Sequence, residues 1–445
     1  MTTRRVFLKL ICIVGVVAST AHFTLAAENN TNPNIVYILV DDMGWKDASC
    51  YGQNAWETPH IDKLASQGCR FTDAYAQPLC SPTRSSLLTG KHCARLMITD
   101  WLPGFRFPKT SNLVAPKQNK NVPLEEVTIA EVLQEAGYTT GLVGKWHIGH
   151  DPAEQGFDEV ILKSDTGCPR FNKEGRFMTD IKGDAAIDFI NRNKENPFFL
   201  YLSFNAVHLK LAASPEKIAK HPNAPNPTYA GMLEHVDDNV GRVLNTIHDL
   251  GMDDKTIVIF YSDNGAVTRC NFKPLLYTMN QPLRGNKGSV YEGGIRVPLI
   301  VRWPGVTQAG STSDAQITSM DFYPTLLEMA NLPLRPEQHL DGISFSGVFS
   351  GKPLDRKSLH WHFPHHSRHL MGFPSGAIRT GDWKLIEWFE DDKIELYNLK
   401  EDLGEQNNIA GNFPKKKKEL LDDLRQWRKE VDAQMPARKK DIESK

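Results

Sequence analysis

The sequence has almost no net charge, no low-complexity tract and no long hydrophobic run. Its 445 residues include 52 Lys and Arg against 53 Asp and Glu, which gives a formal charge of −1. Because nucleic-acid binding relies on a basic surface, this balance argues against nucleic acid as a partner. With 40% hydrophobic residues the chain can bury a large core, and we expect one large domain and a smaller one.

The hydrophobic run near the N-terminus, residues 10–17, is too short to span a membrane. Arg4 and Arg5 precede it and the small residues Ala26 and Ala27 follow it, which is typical of a cleaved export signal. We therefore predict a signal peptide over residues 1–26, no stable membrane insertion, and a bacterial protein in the periplasm or outside the cell. The two arginines also resemble a twin-arginine signal, which indicates export of an already folded protein.

The body of the chain alternates strand and helix patterns. Residues 34–40 form an apolar strand pattern, and Thr128 and Glu131 form a capping box at the start of a helix. Apolar residues recur at helical spacing over 232–247 and are followed by another strand pattern at 256–261. Nearly continuous apolar strands between helices predict an α/β fold, with a large, mainly parallel sheet covered by helices on both faces.

From about residue 350 the pattern changes to short strands and a final helix. We predict four antiparallel strands, at 359–363, 377–380, 383–389 and 393–398, followed by a helix over 415–433. The predicted organisation is therefore a catalytic α/β domain over 27–350 and a small C-terminal subdomain over 351–445.

The most informative segment is Cys80-Ser81-Pro82-Thr83-Arg84, which Leu-Leu-Thr-Gly follows at 87–90. Ser81 is a candidate helix cap, Pro82 suits the first turn, and Gly90 suits the end. Cys80 would then lie beside free backbone N–H groups that favour an anion, and Arg84 would add a forked donor. The alternative for such a pair is a weakly reactive buried cysteine beside a surface arginine.

Acidic pairs follow two of the predicted strands. Asp41 and Asp42 come directly after one strand, and Asp263 and Asn264 come directly after another. Ligands collect at the carboxyl ends of parallel strands, and oxygen ligands suit Ca²⁺ or Mg²⁺. Either pair alone is more often a turn or a helix cap, but two matched strand ends favour a metal site.

Further cationic residues occur in three separate segments. Lys145 and His147 follow a predicted strand and lie two residues apart, so both can reach one cleft. Lys287 lies in a glycine-rich loop that allows close approach to a ligand, and His208 follows the strand at 198–204. Each of these residues on its own has an ordinary structural explanation, so only their occurrence together indicates a catalytic site.

Together these segments resemble the sulfatase family. Cys-x-Pro-x-Arg with its Leu-Leu-Thr-Gly tail looks like the family signature, in which a formylglycine-generating enzyme oxidises the cysteine to formylglycine. The segments 41–44 and 262–265 look like its two metal-binding strand ends. The resemblance runs from about residue 34 almost to the end, and it implies an alkaline phosphatase-like fold and hydrolysis of sulfate monoesters.

The resemblance also implies a role for each site residue. In the family the aldehyde hydrate attacks sulfur, and its second hydroxyl then expels sulfate. His147 would manage that hydroxyl, and His208 with Lys287 would stabilise or protonate the departing alkoxide. The residues that would hold the sulfate are Arg84, Lys145 and Lys287, and those that would bind Ca²⁺ are Asp41, Asp42, Asp263, Asn264 and the formylglycine at position 80.

The cysteine count fits a special role for one thiol. Of seven cysteines, Cys12 would leave with the signal and Cys80 would be modified. The remainder is odd, so at least one is free or pairs outside the chain, and at most two disulfides can form. The pairing is left open among Cys50, Cys69, Cys93, Cys168 and Cys270.

A histidine-rich segment is a candidate for substrate contacts. His360, His362 and His365 show no firm zinc spacing, so they form either a hydrogen-bonded strand and loop or a wall of the substrate pocket. We favour the pocket wall, to which Trp101, Arg95 and Arg106 are further candidates. By analogy with the family we expect a sulfated carbohydrate as the substrate.

Two other functions fit parts of the sequence. A phosphate or phosphonate monoester hydrolase of the same superfamily would keep the metal and the cations, but it need not have the Cys-x-Pro-x-Arg segment. A non-catalytic glycan-binding protein with a vestigial site is the second alternative. Every expected charged position is filled, which argues against it.

Overall fold

The central strands carry apolar residues on both faces, so each must be covered on both sides. The structure is a computed structural model that describes residues 32–105, 107–165, 169–270, 273–274, 280–369, 371–439 and 441. The predicted export signal, Arg106 and Cys168 lie outside these residues. Within the described ranges, no helix has the length and apolar character that crossing a bilayer requires.

The strands and helices alternate along most of the chain. The strands are β1 (Asn34–Val40), β2 (Cys69–Phe71), β3 (Ala74–Tyr75), β4 (Leu113–Val114), β5 (Thr139–Lys145), β6 (Glu159–Ser164), β7 (Phe198–Ser203), β8 (Thr256–Ser262), β9 (Arg269–Cys270), β10 (Lys273–Pro274), β11 (Leu299–Arg302), β12 (Ser311–Ser313), β13 (Ile317–Thr318), β14 (Leu359–Phe363), β15 (Ser375–Thr380), β16 (Trp383–Trp388), β17 (Ile394–Asn398) and β18 (Ala437–Arg438). The helices are α1 (Pro59–Gln67), α2 (Cys80–Thr89), α3 (Ile129–Glu135), α4 (Met178–Asn193), α5 (Pro215–Lys220), α6 (Pro227–Asp249), α7 (Glu292–Ile295), α8 (Phe322–Met329) and α9 (Pro414–Glu430).

The central sheet has eight strands in the order β12-β2-β11-β8-β1-β7-β5-β6. Strands β8, β1, β7, β5 and β6 run parallel to one another, whereas β11 is antiparallel to both β2 and β8. The predicted large, mainly parallel α/β sheet is therefore confirmed.

Strand β1 shows how the sheet is covered. Alternate side chains point to opposite faces, so Val36 and Ile38 enter one hydrophobic core, which includes residues of α4 and α6. Ile35 and Tyr37 enter a second core, which includes residues of α3 and α8. Because both faces are buried, the polar groups of this region are found at the ends of the strands.

The C-terminal part forms a separate antiparallel sheet in the order β14-β15-β16-β17. Helix α9 packs Leu420 and Leu424 on Ile378, Leu385 and Leu396 of this sheet. The predicted antiparallel strands and final helix are confirmed. The domain boundary at residue 350 stays a prediction.

Most predicted helix signals occur in the structure, with one exception. The capping box of α3 is present, with Glu131 N donating to Thr128 Oγ1 at 3.2 Å and Thr128 N donating to Glu131 Oε2 at 2.7 Å. Gly90 ends α2 in the left-handed region at φ +69°. The prediction that Ser81 caps α2 is wrong, because the helix begins one residue earlier and Ser81 Oγ accepts from Leu102 N at 3.1 Å.

The cysteines whose side chains the structure describes form no disulfide with one another. They are Cys50, Cys69, Cys80 and Cys93.

Candidate active site

The two acidic pairs meet because β1 and β8 are adjacent and parallel. Val40 is in register with Ser262, so the residues that follow both strands emerge side by side. Asp42 N donates to Asp263 Oδ1 at 3.2 Å, and Asn264 Nδ2 donates to Asp42 Oδ1 at 2.7 Å. Asp42 has φ +65°, a left-handed conformation that is uncommon outside glycine and concentrates at functional sites.

Three oxygens of this group are suited to a cation. Asp41 Oδ1, Asp42 Oδ2 and Asn264 Oδ1 are buried and have no hydrogen-bond partner among the described residues. Such groups are costly to bury unless something compensates them, and hard oxygen donors suit Ca²⁺ or Mg²⁺. The residues at the ends of β1 and β8 therefore fit a divalent cation.

Each carboxylate of the group also pairs with a buried cation. Lys145 Nζ is 2.6 Å from Asp41 Oδ2, Lys287 Nζ is 2.5 Å from Asp42 Oδ1, and Arg84 Nη2 is 2.7 Å from Asp263 Oδ2. Burial on its own raises the pKa of Asp41, but the charge of Lys145, with smaller contributions from nearby cations, holds that pKa well below its usual range. Lysines 145 and 287 are thus fixed beside the oxygens that suit a metal.

Arg84 is held by protein partners, and its contact with sulfate stays a prediction. Its Nε and Nη2 atoms both donate to Asp263 Oδ2, at 3.0 and 2.7 Å, and its Nη1 donates to Ser203 Oγ and the Lys145 carbonyl. The fork is therefore engaged by groups at the ends of three strands. In this geometry Arg84 orients Asp263 and acts on the cleft through it.

Cys80 and His147 are in direct contact. Cys80 is the first residue of α2, and its Sγ lies 3.2 Å from His147 Nδ1. His147 Nε2 is 2.7 Å from the Leu102 carbonyl, which can only accept, so Nε2 carries the proton and Nδ1 is free to accept one. Burial, followed by the charge of Lys145, lowers the pKa of His147 to about 3. The ring is therefore neutral, with a basic nitrogen facing position 80.

The loop after Ile98 holds this arrangement. Asp100 accepts from Trp101 N at 2.8 Å through Oδ1 and from Phe105 N at 2.7 Å through Oδ2. The Leu102 carbonyl that fixes the His147 ring lies between these two anchored positions. The sequence analysis did not identify Asp100, because an aspartate in a loop has many ordinary roles.

His208 also lies beside the acidic group. Its Nε2 is 3.8 Å from Asp42 Oδ2, and its Nδ1 donates to the Leu209 carbonyl at 2.6 Å. Desolvation in the cleft, followed by the charge of Lys287, lowers the pKa of His208 to about 4. Because Nδ1 is engaged by a carbonyl, Nε2 is the atom available to a ligand.

These groups open into a cleft of about 250 Å³. Cys80, His147, His208 and Lys287 line its polar part. The rest of the described lining consists of Asp42, Leu79, Trp101, Phe105, Leu209, Arg368 and His369. Arg368 was not predicted from the sequence, although it lies three residues after His365 of the histidine-rich segment.

The other predicted substrate residues lie elsewhere. His360 stacks on Trp427 with ring centroids 4.5 Å apart, and His362 Nε2 contacts the Gln434 carbonyl at 3.0 Å. These two side chains therefore pack the C-terminal sheet against the end of the chain. Their sequence had favoured a role in the wall of the substrate pocket.

His365 and Arg95 are also held by local partners. His365 Nε2 lies 2.8 Å from Thr99 Oγ1, and Arg95 pairs with Asp341 at 2.9 Å. Neither residue belongs to the described lining of the cleft. Of the predicted substrate residues that the structure describes, Trp101 is the one that lines it.

Known proteins resemble this chain in sequence and in fold. A family model described as Sulfatase matches residues 33–332, and one described as N-sulphoglucosamine sulphohydrolase, C-terminal, matches residues 286–434. A protein named Sulfatase from Formosa agariphila is 33% identical and covers 86% of this chain and 86% of its own length. The Homo sapiens N-acetylgalactosamine-6-sulfatase is 33% identical and covers 85% of this chain and 76% of its own length.

A solved structure of a relative also superposes on most of the chain. The crystal structure of Ps i-CgsB in complex with k-i-k-neocarrahexaose has a TM-score of 0.77 and 29% identity, and the match covers 89% of this chain and 93% of that chain.

Proposed function

The chain belongs to the sulfatase family of sulfuric ester hydrolases, and from that premise we propose that it removes sulfate from sulfated carbohydrates. Two relatives support the substrate class: one is named N-acetylgalactosamine-6-sulfatase, and the other was solved with k-i-k-neocarrahexaose. We also propose that a formylglycine-generating enzyme converts Cys80 to formylglycine and that one Ca²⁺ binds nearby.

The ends of β1 and β8 would hold the cation. Asp41, Asp42 and Asn264 each offer a buried oxygen that accepts no hydrogen bond from the described residues, and Asp263 is oriented beside them by Arg84. When bound, the ion supplies positive charge that stabilises a negatively charged sulfate. The lysine partners keep Asp41 and Asp42 ionised and therefore able to bind a cation.

His147 would act on the side chain at position 80. As a hydrated aldehyde, the converted Cys80 supplies an oxygen nucleophile and a second hydroxyl through which sulfate can be released. The unprotonated Nδ1 of His147 lies 3.2 Å from Cys80 Sγ and can accept a proton from a hydroxyl there. The Leu102 carbonyl keeps the ring in the tautomer that this step requires.

Lys145 and Lys287 would neutralise the substrate. A sulfate monoester repels nucleophiles because it is anionic, so positive groups must face it. Each ammonium group has three N–H donors and uses one on a carboxylate, which leaves donors for sulfate oxygens. His208 Nε2 faces the same cleft. Because the Leu209 carbonyl holds the ring proton on Nδ1, Nε2 would have to take up a proton before it could pass one to the departing sugar oxygen.

The contact between Cys80 and His147 beside three unpartnered buried oxygens carries this proposal. Its test is an assay of purified protein for sulfate and phosphate release from a panel of esters, combined with peptide mass analysis of position 80. We expect sulfate release, formylglycine at position 80, and loss of activity in Cys80→Ala. Hydrolysis of phosphate esters alone would support the phosphoesterase alternative, and full activity with an unmodified thiol would contradict the proposed nucleophile.

Cys93→Ala is a matched control for that variant. Cys93 is also buried, and its Sγ contacts Gln77 and His92, which do not line the cleft. We expect this variant to keep its activity, so that a loss in Cys80→Ala reports on the nucleophile itself.

We propose that the protein acts in the periplasm or outside the cell. Support comes from the signal-like pattern of residues 1–26, and a bacterial relative is consistent with a bacterial source.

A further inference from the structure

Arg368 is unusual among the cations of the cleft. Lys287 and Arg368 are the Lys and Arg residues in the described lining, and Lys287 pairs with Asp42. Arg368 is exposed and has no carboxylate within salt-bridge distance among the described residues. Its charge is therefore available to a ligand in the cleft.

The position of Arg368 is fixed by its surroundings. Its guanidinium carbon lies 5.4 Å from the ring centroid of Phe105, and Phe105 packs on Trp101 with centroids 5.1 Å apart. The backbone beside it is anchored, because Ser367 N donates to the Gly372 carbonyl at 2.7 Å and Ser367 Oγ accepts from His369 N at 3.1 Å. The guanidinium thus lies over an aromatic wall of the cleft.

The Arg368 segment also packs directly on the segment that carries Lys287. A Cβ added at Gly288 would lie 2.5 Å from Ser367 Oγ, and Gly288 has φ +81°, so both space and backbone conformation favour glycine there. One cation, Lys287, therefore lies at the proposed sulfate position, and a second, Arg368, lies over Phe105 elsewhere in the lining of the same cleft.

We propose that Arg368 binds a second anionic group of the substrate, while Trp101 and Phe105 contact an apolar face of the sugar. This inference rests on the proposed function. Lys145 and Lys287 already face the scissile sulfate, so an additional unpaired arginine favours a substrate that carries an additional negative charge. The planar fork of arginine suits a carboxylate or a second sulfate equally, because both accept two parallel hydrogen bonds. The substrate is therefore a sugar or oligosaccharide with a uronate or another sulfate near the ester that is cleaved.

The test compares Arg368→Met with the unchanged enzyme on four substrates. They are an aryl sulfate, a monosulfated neutral disaccharide, a monosulfated disaccharide that contains a uronate, and a disulfated disaccharide. We expect kcat/KM to fall about 10- to 100-fold, mainly through a higher KM, on whichever of the last two substrates carries the group that Arg368 binds. On the first two it should change by less than about twofold. The two dianionic substrates distinguish a carboxylate from a sulfate as the bound group.

Two further variants control this experiment. Arg368→Lys keeps the charge but loses the fork, so it should recover part of the affinity. Arg335→Met removes another arginine, which pairs with Glu135 on the surface, and should change none of the four values.

Each outcome bears on a different claim. Equal losses on all four substrates, or no loss on either dianionic one, would overturn the role of Arg368 while leaving the sulfatase activity intact. If the unchanged enzyme releases sulfate from none of the four, the proposed function fails and this inference fails with it.

Discussion

Two clusters of buried charged residues in this protein have similar composition but differ in how their carboxylate oxygens are compensated. The cleft cluster consists of Asp41, Asp42, Asp263, Asn264, Arg84, Lys145 and Lys287. The structural cluster joins α7 to the C-terminal sheet, and it consists of Glu292, Arg296, Arg379, Lys384 and Glu405. Both are almost inaccessible to solvent. The clusters differ in what their oxygens contact.

In the structural cluster the carboxylate oxygens are compensated. Glu292 Oε1 lies 2.8 Å from Lys384 Nζ, and Glu292 Oε2 accepts from Arg296 Nε at 2.8 Å and Tyr75 OH at 2.7 Å. Glu405 Oε2 accepts from Glu292 N at 2.7 Å, and Glu405 Oε1, which has no hydrogen bond among the described residues, lies 2.8 Å from Lys384 Nζ, whose charge compensates it. Although burial opposes it, the charges of Lys384 and Arg296 lower the pKa of Glu292 to about 2. This cluster has no need of a ligand.

The comparison shows that buried charge alone does not indicate a catalytic site. Lys287 was predicted to face a ligand from a glycine-rich loop, and the charged stretch that begins there continues to Glu292 and Arg296. The structure divides it, with Lys287 in the cleft and both Glu292 and Arg296 in the structural cluster. What marks the cleft cluster is the combination of unpartnered oxygens and an adjacent cavity.

The largest difference between the clusters should appear on removal of divalent metal. Chelation is expected to lower kcat by about 10³-fold or more and to lower the melting temperature, and added Ca²⁺ should restore both. Lys384→Met should show the same metal response as the unchanged enzyme, because Lys384 lies away from the oxygens proposed to hold the ion and pairs with Glu292 and Glu405. A chelated enzyme that keeps its full rate would contradict the proposed metal site.

His147→Gln should lower kcat by about 10²- to 10⁴-fold with little change in unfolding, because it removes the proposed base. Steady-state kinetics and urea unfolding measure the two effects separately. His92→Gln is the control: His92 is likewise buried and contacts a carbonyl, that of His360, at 3.0 Å, but it does not line the cleft. Similar kinetic losses in both variants would mean that the effect is a general one of buried histidines.

Lys384→Met should lower stability and leave kcat unchanged, which is the reverse of the effect expected for His147→Gln. Removing this cation leaves Glu292 and Glu405 buried without their shared partner, and we expect a loss of about 3–5 kcal/mol in the free energy of unfolding. Urea unfolding gives this value, and kcat per folded molecule should be unchanged. A loss below about 1 kcal/mol would show that the structural cluster contributes little to stability.

The smallest expected effect distinguishes Asp100 from Asp237, two aspartates that each accept hydrogen bonds from two backbone N–H groups. Asp100 accepts from two backbone N–H groups near the cleft, and Asp237 accepts from the N–H groups of His60 and Ile61 away from it. Asp100→Asn should lower kcat about tenfold, because the carbonyl of Leu102 that fixes His147 would shift. Asp237→Asn should leave kcat unchanged, and kinetics on folded protein would show whether the loop positions the base.

Some features of the protein follow from the sequence because they depend on neighbours along the chain. The strand at 34–40 and the capping box at Thr128 were predicted with their correct positions, since a continuous apolar run and a short capping motif are local patterns. The convergence of the two acidic pairs could also be predicted, because each directly follows a strand of a parallel sheet. Their metal binding and the role of Cys80 remain proposals that rest on this convergence and on the family.

Other features were decided by the tertiary structure, because they depend on partners far apart in the chain. The fork of Arg84 could have faced a ligand, but Asp263 and Ser203 occupy it in the folded chain. His360 was predicted to line the substrate pocket and Arg368 was not, yet of the two only Arg368 reaches the cleft, since His360 stacks on Trp427 of a helix that no local pattern could position. The sequence determined which residues form strands and helices and which chemical groups follow them, whereas the order of the strands and the packing of the C-terminal sheet selected the groups that face the substrate.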